Sequence, residues 1–111
     1  MHALDVLGDP TRRRILEVLR GGESAVGELV GVLHRELGIS QPAVSQHLRV
    51  LRDSGFVRVR ADAQRRFYMI DPAPLREASD WIAAFRKFWE HRLDALADEI
   101  ERGKRRRRRR S

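Results

Sequence analysis

The sequence has no cysteine, which excludes disulfides, thiolate metal sites and cysteine nucleophiles. It has no apolar run near the ~20 residues that span a bilayer. Its opening, MHALDVLGDPTRRR, lacks the signal-peptide order of a basic start followed by an apolar stretch. A cytoplasmic protein that enters no membrane is therefore expected. There is also no glycine-rich phosphate loop, no activated nucleophile beside a base and no HExxH-type metal helix. An enzyme is the least expected class, with no catalytic residue, no cofactor and no metal. His91 with Asp94 supplies fewer ligands on one helix turn than zinc requires.

What is present in excess is positive charge, +7 in 111 residues. Residues 104–110 are seven basic side chains in succession, and without them 16 basic residues face 16 acidic ones. The body is neutral but sorted. Residues 40–70 carry a balance of +4, through Arg49, Arg52, Arg58, Arg60, Arg65 and Arg66 against Asp53 and Asp62. Residues 71–101 carry −4. Charge sorted this way marks a face that meets a polyanion.

Punctuation along the chain predicts the elements. Residues 3–7 suit a short helical arm. Asp9-Pro10-Thr11 starts a helix that Gly21-Gly22 stops. Ser24 is placed to cap a third helix, which runs to about Leu37 before Gly38 turns the chain. Ser40 caps a fourth, with Pro42 in its first turn and Gly55 at its end. Val57, Val59 and Ala61 alternate with Arg58, Arg60 and Asp62, and Phe67 to Ile70 form a second β-like run. The two read as a hairpin with a basic tip at Arg65 and Arg66. A last helix is predicted over residues 74–102, with apolar residues three or four apart from Leu75 to Ile100. At 1.5 Å per residue it reaches ~43 Å, more than a core this small covers, so part of its stripe is expected to meet a second chain. Gly103 is predicted to end it. Residues 1–103 form one domain in this reading, and 104–111 a disordered basic tail.

The fourth helix, SQPAVSQHLRVLRDSG, poses the functional question. Val44, Leu48 and Leu51 make one apolar stripe, which leaves Arg52 off it and Gln41, Ser45, Gln46 and Arg49 pointing away from the core. Two helices joined through a glycine turn and followed by a basic hairpin make a winged helix-turn-helix. The predicted fold is thus mainly α with a small β-hairpin, in the order α-α-α-α-β-β-α. The outward set then faces the major groove of double-stranded DNA. Arginine forks onto guanine O6 and N7, glutamine onto adenine N6 and N7, and serine takes either kind of edge. Arg65 and Arg66 suit a narrow minor groove, where negative potential is strongest.

DPTRRRILEVL, VGELV, ISQPAVSQHLRVLRDSGFVRVR and RRFYMID follow in that order, and over about residues 3–100 the chain resembles the ArsR-type bacterial repressors. The resemblance implies a homodimer built on the first and last helices, here through Leu4, Leu7, Trp81, Phe85, Phe88, Trp89, Leu93 and Leu96. It implies an inverted-repeat operator and repression that an effector relieves. By motif position Gln41, Ser45, Gln46 and Arg49 would read bases, with Pro42 in the same first turn, and Ser40 and His47 would lie near phosphates. Where metal-sensing members carry Cys-x-Cys, this chain has Ala25-Val26-Gly27, and its last helix, with DWIAAFRKFWEHRLDAL, resembles the metal-free subset, which leaves open an unknown small-molecule effector. LVGVLHRELGIS is about one turn longer than the family pattern, which extends the third helix.

Plainer readings stand beside these. Arg12, Arg13 and Arg14 open a helix and suit local pairing. His47 is either a phosphate donor or a half-buried helix residue. Trp81, Phe85, Phe88 and Trp89 could line an effector pocket, although aromatics at helical spacing more commonly form a seam. The alternative functions are a winged-helix module for protein contacts and a nonspecific nucleic-acid binder driven by the arginine tail.

Overall fold

The computed structural model describes residues 2–110, with side chains through Arg108. It divides after Ala78 into two units. In the first, α1 (Ala3–Leu7) is held locally. The Leu4 N–H donates to His2 Nδ1 at 3.1 Å, and the His2 N–H donates to the Asp5 carboxylate at 3.0 Å. Its C-terminal carbonyls are taken by arginines of α2 (Pro10–Leu19): Arg12 donates to Val6 O at 2.8 Å and Arg13 to Leu7 O at 2.7 Å. A helix end leaves such carbonyls without intrahelical partners. Arg12 and Arg13 satisfy them here, in the local role expected of them, whereas Arg14 turns to carboxylates.

Asp9 caps α2, accepting from the Thr11 and Arg12 N–H groups at 2.8 and 3.2 Å, with Pro10 as the first helical residue. Burial alone would raise the Asp9 carboxyl. The Arg12 and Thr11 N–H bonds, with the His47 and Arg12 charges, outweigh it and hold the group below its ordinary 3.8. A carboxyl depressed by folding contributes stability above its unfolded value and loses it as pH falls through the folded one. Asp9→Ala is expected to cost about 1 kcal/mol at neutral pH, read as a lower melting temperature. Asp9→Asn keeps the cap and is expected to flatten the loss of stability below about pH 4, where carboxylates with ordinary values begin to protonate.

β1 (Ser24–Ala25) precedes α3 (Val26–Leu37). Ser24 therefore does not cap the third helix. It pairs with Tyr68 in a sheet, and Ala25 takes the cap position without a side-chain bond. Gly38 ends α3 at φ 67°, a left-handed conformation natural to glycine. Arg14 joins α2 to the end of α3 by two bonds to Glu36, at 2.7 and 2.8 Å. α4 (Gln41–Asp53) leads through Gly55, at φ 78°, into β2 (Val57–Asp62) and β3 (Arg65–Ile70). The sheet is antiparallel in the order β1-β3-β2. Its core is shared by Val6, Ile15, Leu29, Leu33, Val44, Leu48, Leu51 and Phe56, all essentially inaccessible. Leu4 and Leu7 are half-buried and pack against this same core.

The helix expected over residues 74–102 is two helices, α5 (Ala73–Ala83) and α6 (Arg86–Arg110). At the break the Phe85 N–H donates to Ile82 O at 3.0 Å, a tighter i→i−3 bond. In the second unit, from Ser79 on, every described residue except Gly103 is exposed. Trp81, Phe85, Phe88, Trp89, Leu93 and Leu96 all stand open, with Phe88 63% and Leu93 60% accessible. Trp81 and Phe85 lie with ring centroids 4.8 Å apart. Gly103 does not end the helix, which continues to Arg110. One interior glycine costs only about 1 kcal/mol relative to alanine, and the surrounding lysine, arginine and glutamate are good helix formers. Basic residues also suit a helix C-terminus. Ser111, the end of the expected tail, lies outside the described residues.

Candidate nucleic-acid interface

α4 is fixed from both sides of its sequence. Ser40 Oγ accepts from the Ala43 N–H at 3.4 Å, a long cap bond, and Pro42 occupies the first turn. Val44, Leu48 and Leu51 are 0%, 1% and 0% accessible, so core packing sets the rotation of the helix. That rotation leaves Gln41, Ser45, Arg49 and Arg52 on the outer face, four, four and three residues apart. They line an open groove whose far wall is Arg66 and Tyr68 of β3. Pro42 and Gln46 border a second shallow depression with Ser45 and Arg49.

Among the described residues, the side chains of Gln41, Ser45, Gln46, Arg49, Arg52 and Arg66 make no hydrogen bond or ion pair within the protomer. Lack of a partner is shared by Arg20, Arg76 and Arg102 elsewhere on the surface, so it is the convergence in one groove that sets these residues apart. Arg12, Arg13, Arg14, Arg58 and Arg60 all bond to carbonyls or carboxylates of the same chain. The groove thus holds three uncommitted guanidiniums, of Arg49, Arg52 and Arg66, against one carboxylate, of Asp53. In the first turn of α4 Pro42 has no N–H and the Ala43 N–H donates to Ser40 Oγ, which leaves the Gln41 N–H to suit a phosphate oxygen.

Arg65 and Arg66, which the sequence presents as one basic tip, share a shallow depression beside Val26 and Glu28, but only Arg66 also lines the groove with α4. β3 starts at Arg65, and only Ala63 and Gln64 form the loop. Successive strand residues point to opposite faces. Arg66 therefore lines the groove with α4. Arg65 stacks on Phe67 at 5.0 Å from the ring centroid and lies 4.0 Å from Glu28. Arg60 stacks on the same ring at 4.7 Å and pairs with Glu23 at 2.6 Å. Those bonds hold the Arg60 guanidinium further up and the Glu23 carboxyl below its usual range. Phe67 between two guanidiniums, tied through Glu23 to the segment before β1, braces the wing.

Ala63 is the one described non-glycine residue with positive φ, at 54°. An L-residue there carries about 1–2 kcal/mol of strain. Ala63→Gly is expected to stabilise the fold by about 1 kcal/mol, less the entropy glycine adds to the unfolded chain. A denaturant midpoint that rises at constant slope checks it.

His47 is half-buried, and its charge acts on Asp9 at the start of α2. Ser40 is committed to its cap bond. The residue that sequence reasoning leaves out of the reading set is Arg52. The sequence already places it off the apolar stripe, and its spacing of three from Arg49 puts it on the same groove. The Arg60–Glu23 pair spans 37 positions and has no local signature.

A family model described as bacterial regulatory protein, arsR family, matches residues 9–59. The HTH-type transcriptional regulator Rv2034 of Mycobacterium tuberculosis is 42% identical over 103 residues, 90% of this chain and 87% of that protein. The transcriptional repressor SdpR of Bacillus subtilis is 29% identical over 84 residues, 76% of this chain and 89% of that protein. A crystallised ArsR family transcriptional regulator matches with a TM-score of 0.67 at 30% identity, over 79% of this chain and 87% of that one. A homodimeric winged helix-turn-helix DNA-binding domain from Mycobacterium bovis shares the fold at 24% identity, with a TM-score of 0.58 over 75% and 76% of the two chains. The winged helix-turn-helix predicted from sequence is the fold observed, with β1 added to the hairpin and the last helix divided.

Proposed function

The chain belongs to the ArsR family of bacterial regulatory proteins, and from that premise we propose that this winged helix-turn-helix transcriptional regulator represses as a homodimer on an inverted-repeat operator. Gln41, Ser45, Gln46 and Arg49 read base edges in the major groove. Arg52 joins them at the groove rim. Arg66 reaches DNA from the wing, while Arg65 supports the wing and meets phosphate at most at its edge. Ser40, Pro42 and His47 border the phosphates beside the first turn of α4.

The observation that carries this reading is the set of uncommitted side chains on the outer face of α4. Unpaired arginines occur elsewhere on the surface, at Arg20, Arg76 and Arg102, but none of those lines a shared groove with a second basic element. Here Arg49, Arg52 and Arg66 converge on one groove without partners. The exposed apolar side chains from Trp81 to Ile100 support the dimer. Contiguous exposed aromatics and leucines of this size mark an interface, and the two-fold operator requires a second copy. Leu4 and Leu7 contribute through the part of their surface that the core leaves open. Residues 1–103 carry both roles, and the protein works in the cytoplasm, where its operator is. A small-molecule effector rests on the family's precedent alone, and no member of the reading set depends on it.

Selection of bound duplexes from a random pool tests the proposal. The expected result is a two-fold motif with half-sites one helical turn apart, ~34–36 Å between recognition helices. A pool without enrichment, or a motif without symmetry, overturns it.

A further inference from the structure

All the surplus charge of the chain lies in residues 104–110, and the structure makes them the last turns of α6 rather than a separate segment. Wound as a helix, seven cations occupy ~10 Å of axis, one per ~1.5 Å. Duplex DNA carries one negative charge per ~1.7 Å of its own axis. The two charge densities match. A helical cation is reached by carboxylates three or four residues before it, and Glu101 stands at those positions before Lys104 and Arg105. Arg106 and Arg107 are preceded at those positions by Arg102, Gly103 and Lys104. Nor is the run amphipathic: residues 102–110 contain no apolar side chain, so the buried apolar face that a membrane-surface helix needs is missing.

We infer that residues 104–110 form a second polyanion-binding surface, which takes the phosphates of duplex DNA outside the operator bases and adds affinity without sequence preference. The inference rests on the DNA-binding reading but acts through different residues. The surface would hold the regulator on nonspecific DNA while α4 samples sequence.

The test uses the full chain, a variant lacking residues 104–111, and a length-preserving variant with Arg105, Arg106, Arg107 and Arg108 each changed to Gln. Affinity for a random-sequence duplex is measured by anisotropy across a salt series. Each phosphate neutralised contributes about −0.9 to the slope of log K against log salt. The deletion is expected to make the slope shallower by about 4–6 per protomer, and the Gln variant by about 3–4. At low salt, random-duplex affinity falls by about 100-fold or more, and the ratio of operator to random affinity rises. Unchanged slopes in both variants overturn the inference. So does a second pattern, in which DNA slopes stay constant while dimers of both variants dissociate at protein concentrations where the full chain stays paired. That result assigns the run to the acidic residues of a partner copy. Failure of base readout is seen separately, as a full chain without operator preference whose random-duplex slope still responds to the deletion.

Discussion

Arg49→Ala is expected to leave the protein as stable as the parent and to remove most of its preference for the operator. The side chain is exposed and uncommitted within the protomer, so truncation opens no cavity and strands no carboxylate. Surface changes of that kind usually stay within about 0.5 kcal/mol. On DNA the same change deletes a two-pronged donor. One bidentate contact is worth about 1–3 kcal/mol of discrimination, and a dimer makes it twice. Competition between operator and random duplex should therefore fall by about 30-fold or more. Gln46→Ala is expected to act in the same direction at a different base position. Arg65→Ala is the informative control. Its guanidinium lies over Phe67 and beside Glu28, outside the groove that α4 lines, so it should change overall affinity modestly and discrimination little. Equal discrimination in Arg49→Ala and parent would remove α4 from the role of reader.

The contrast between Arg49 and Arg65 shows what a sequence can and cannot state. α4 is legible because its signals are local and agree. Ser40 and Pro42 begin it, Gly55 follows its end, and Val44, Leu48 and Leu51 fix its rotation, so the outward residues follow by subtraction. The alternation that separates Arg65 from Arg66 is also local, but it is hidden if the strand is started two residues late. β1 is hidden for a different reason. Two residues carry no periodicity, and Ser24–Ala25 is a strand only because β3 offers an edge to pair with. The brace from Glu23 to Arg60 is likewise created by the fold. The break between α5 and α6 escapes because apolar residues continue at threes and fours across it, so periodicity reads straight through Ala84 and Phe85. At Gly103 the error is one of weight. A lone glycine is a modest penalty, and strong helix formers on both sides outvote it.

The second large effect concerns assembly. Leu93 and Leu96 stand three residues apart on α6, 60% and 51% accessible, on the stripe that includes Phe85, Trp89 and Ile100. Changing both to Glu buries no charge within the protomer, so the first unit should melt as before. In a dimer closed through this face the same changes place carboxylates where leucines were to be covered. A buried leucine contributes about 1.5–3 kcal/mol, and an unpaired carboxylate in its place carries a large desolvation cost. Two-fold symmetry applies both losses twice. The double variant is expected to sediment as a monomer. Its affinity for an inverted repeat should fall by about 100- to 10,000-fold, because the second half-site no longer binds at the effective concentration that linkage provides. The loss should be far smaller on a single half-site, where linkage contributes nothing, and that difference separates a failed dimer from a damaged reading surface. A variant that stays dimeric and keeps its two-site affinity would show that the seam lies elsewhere.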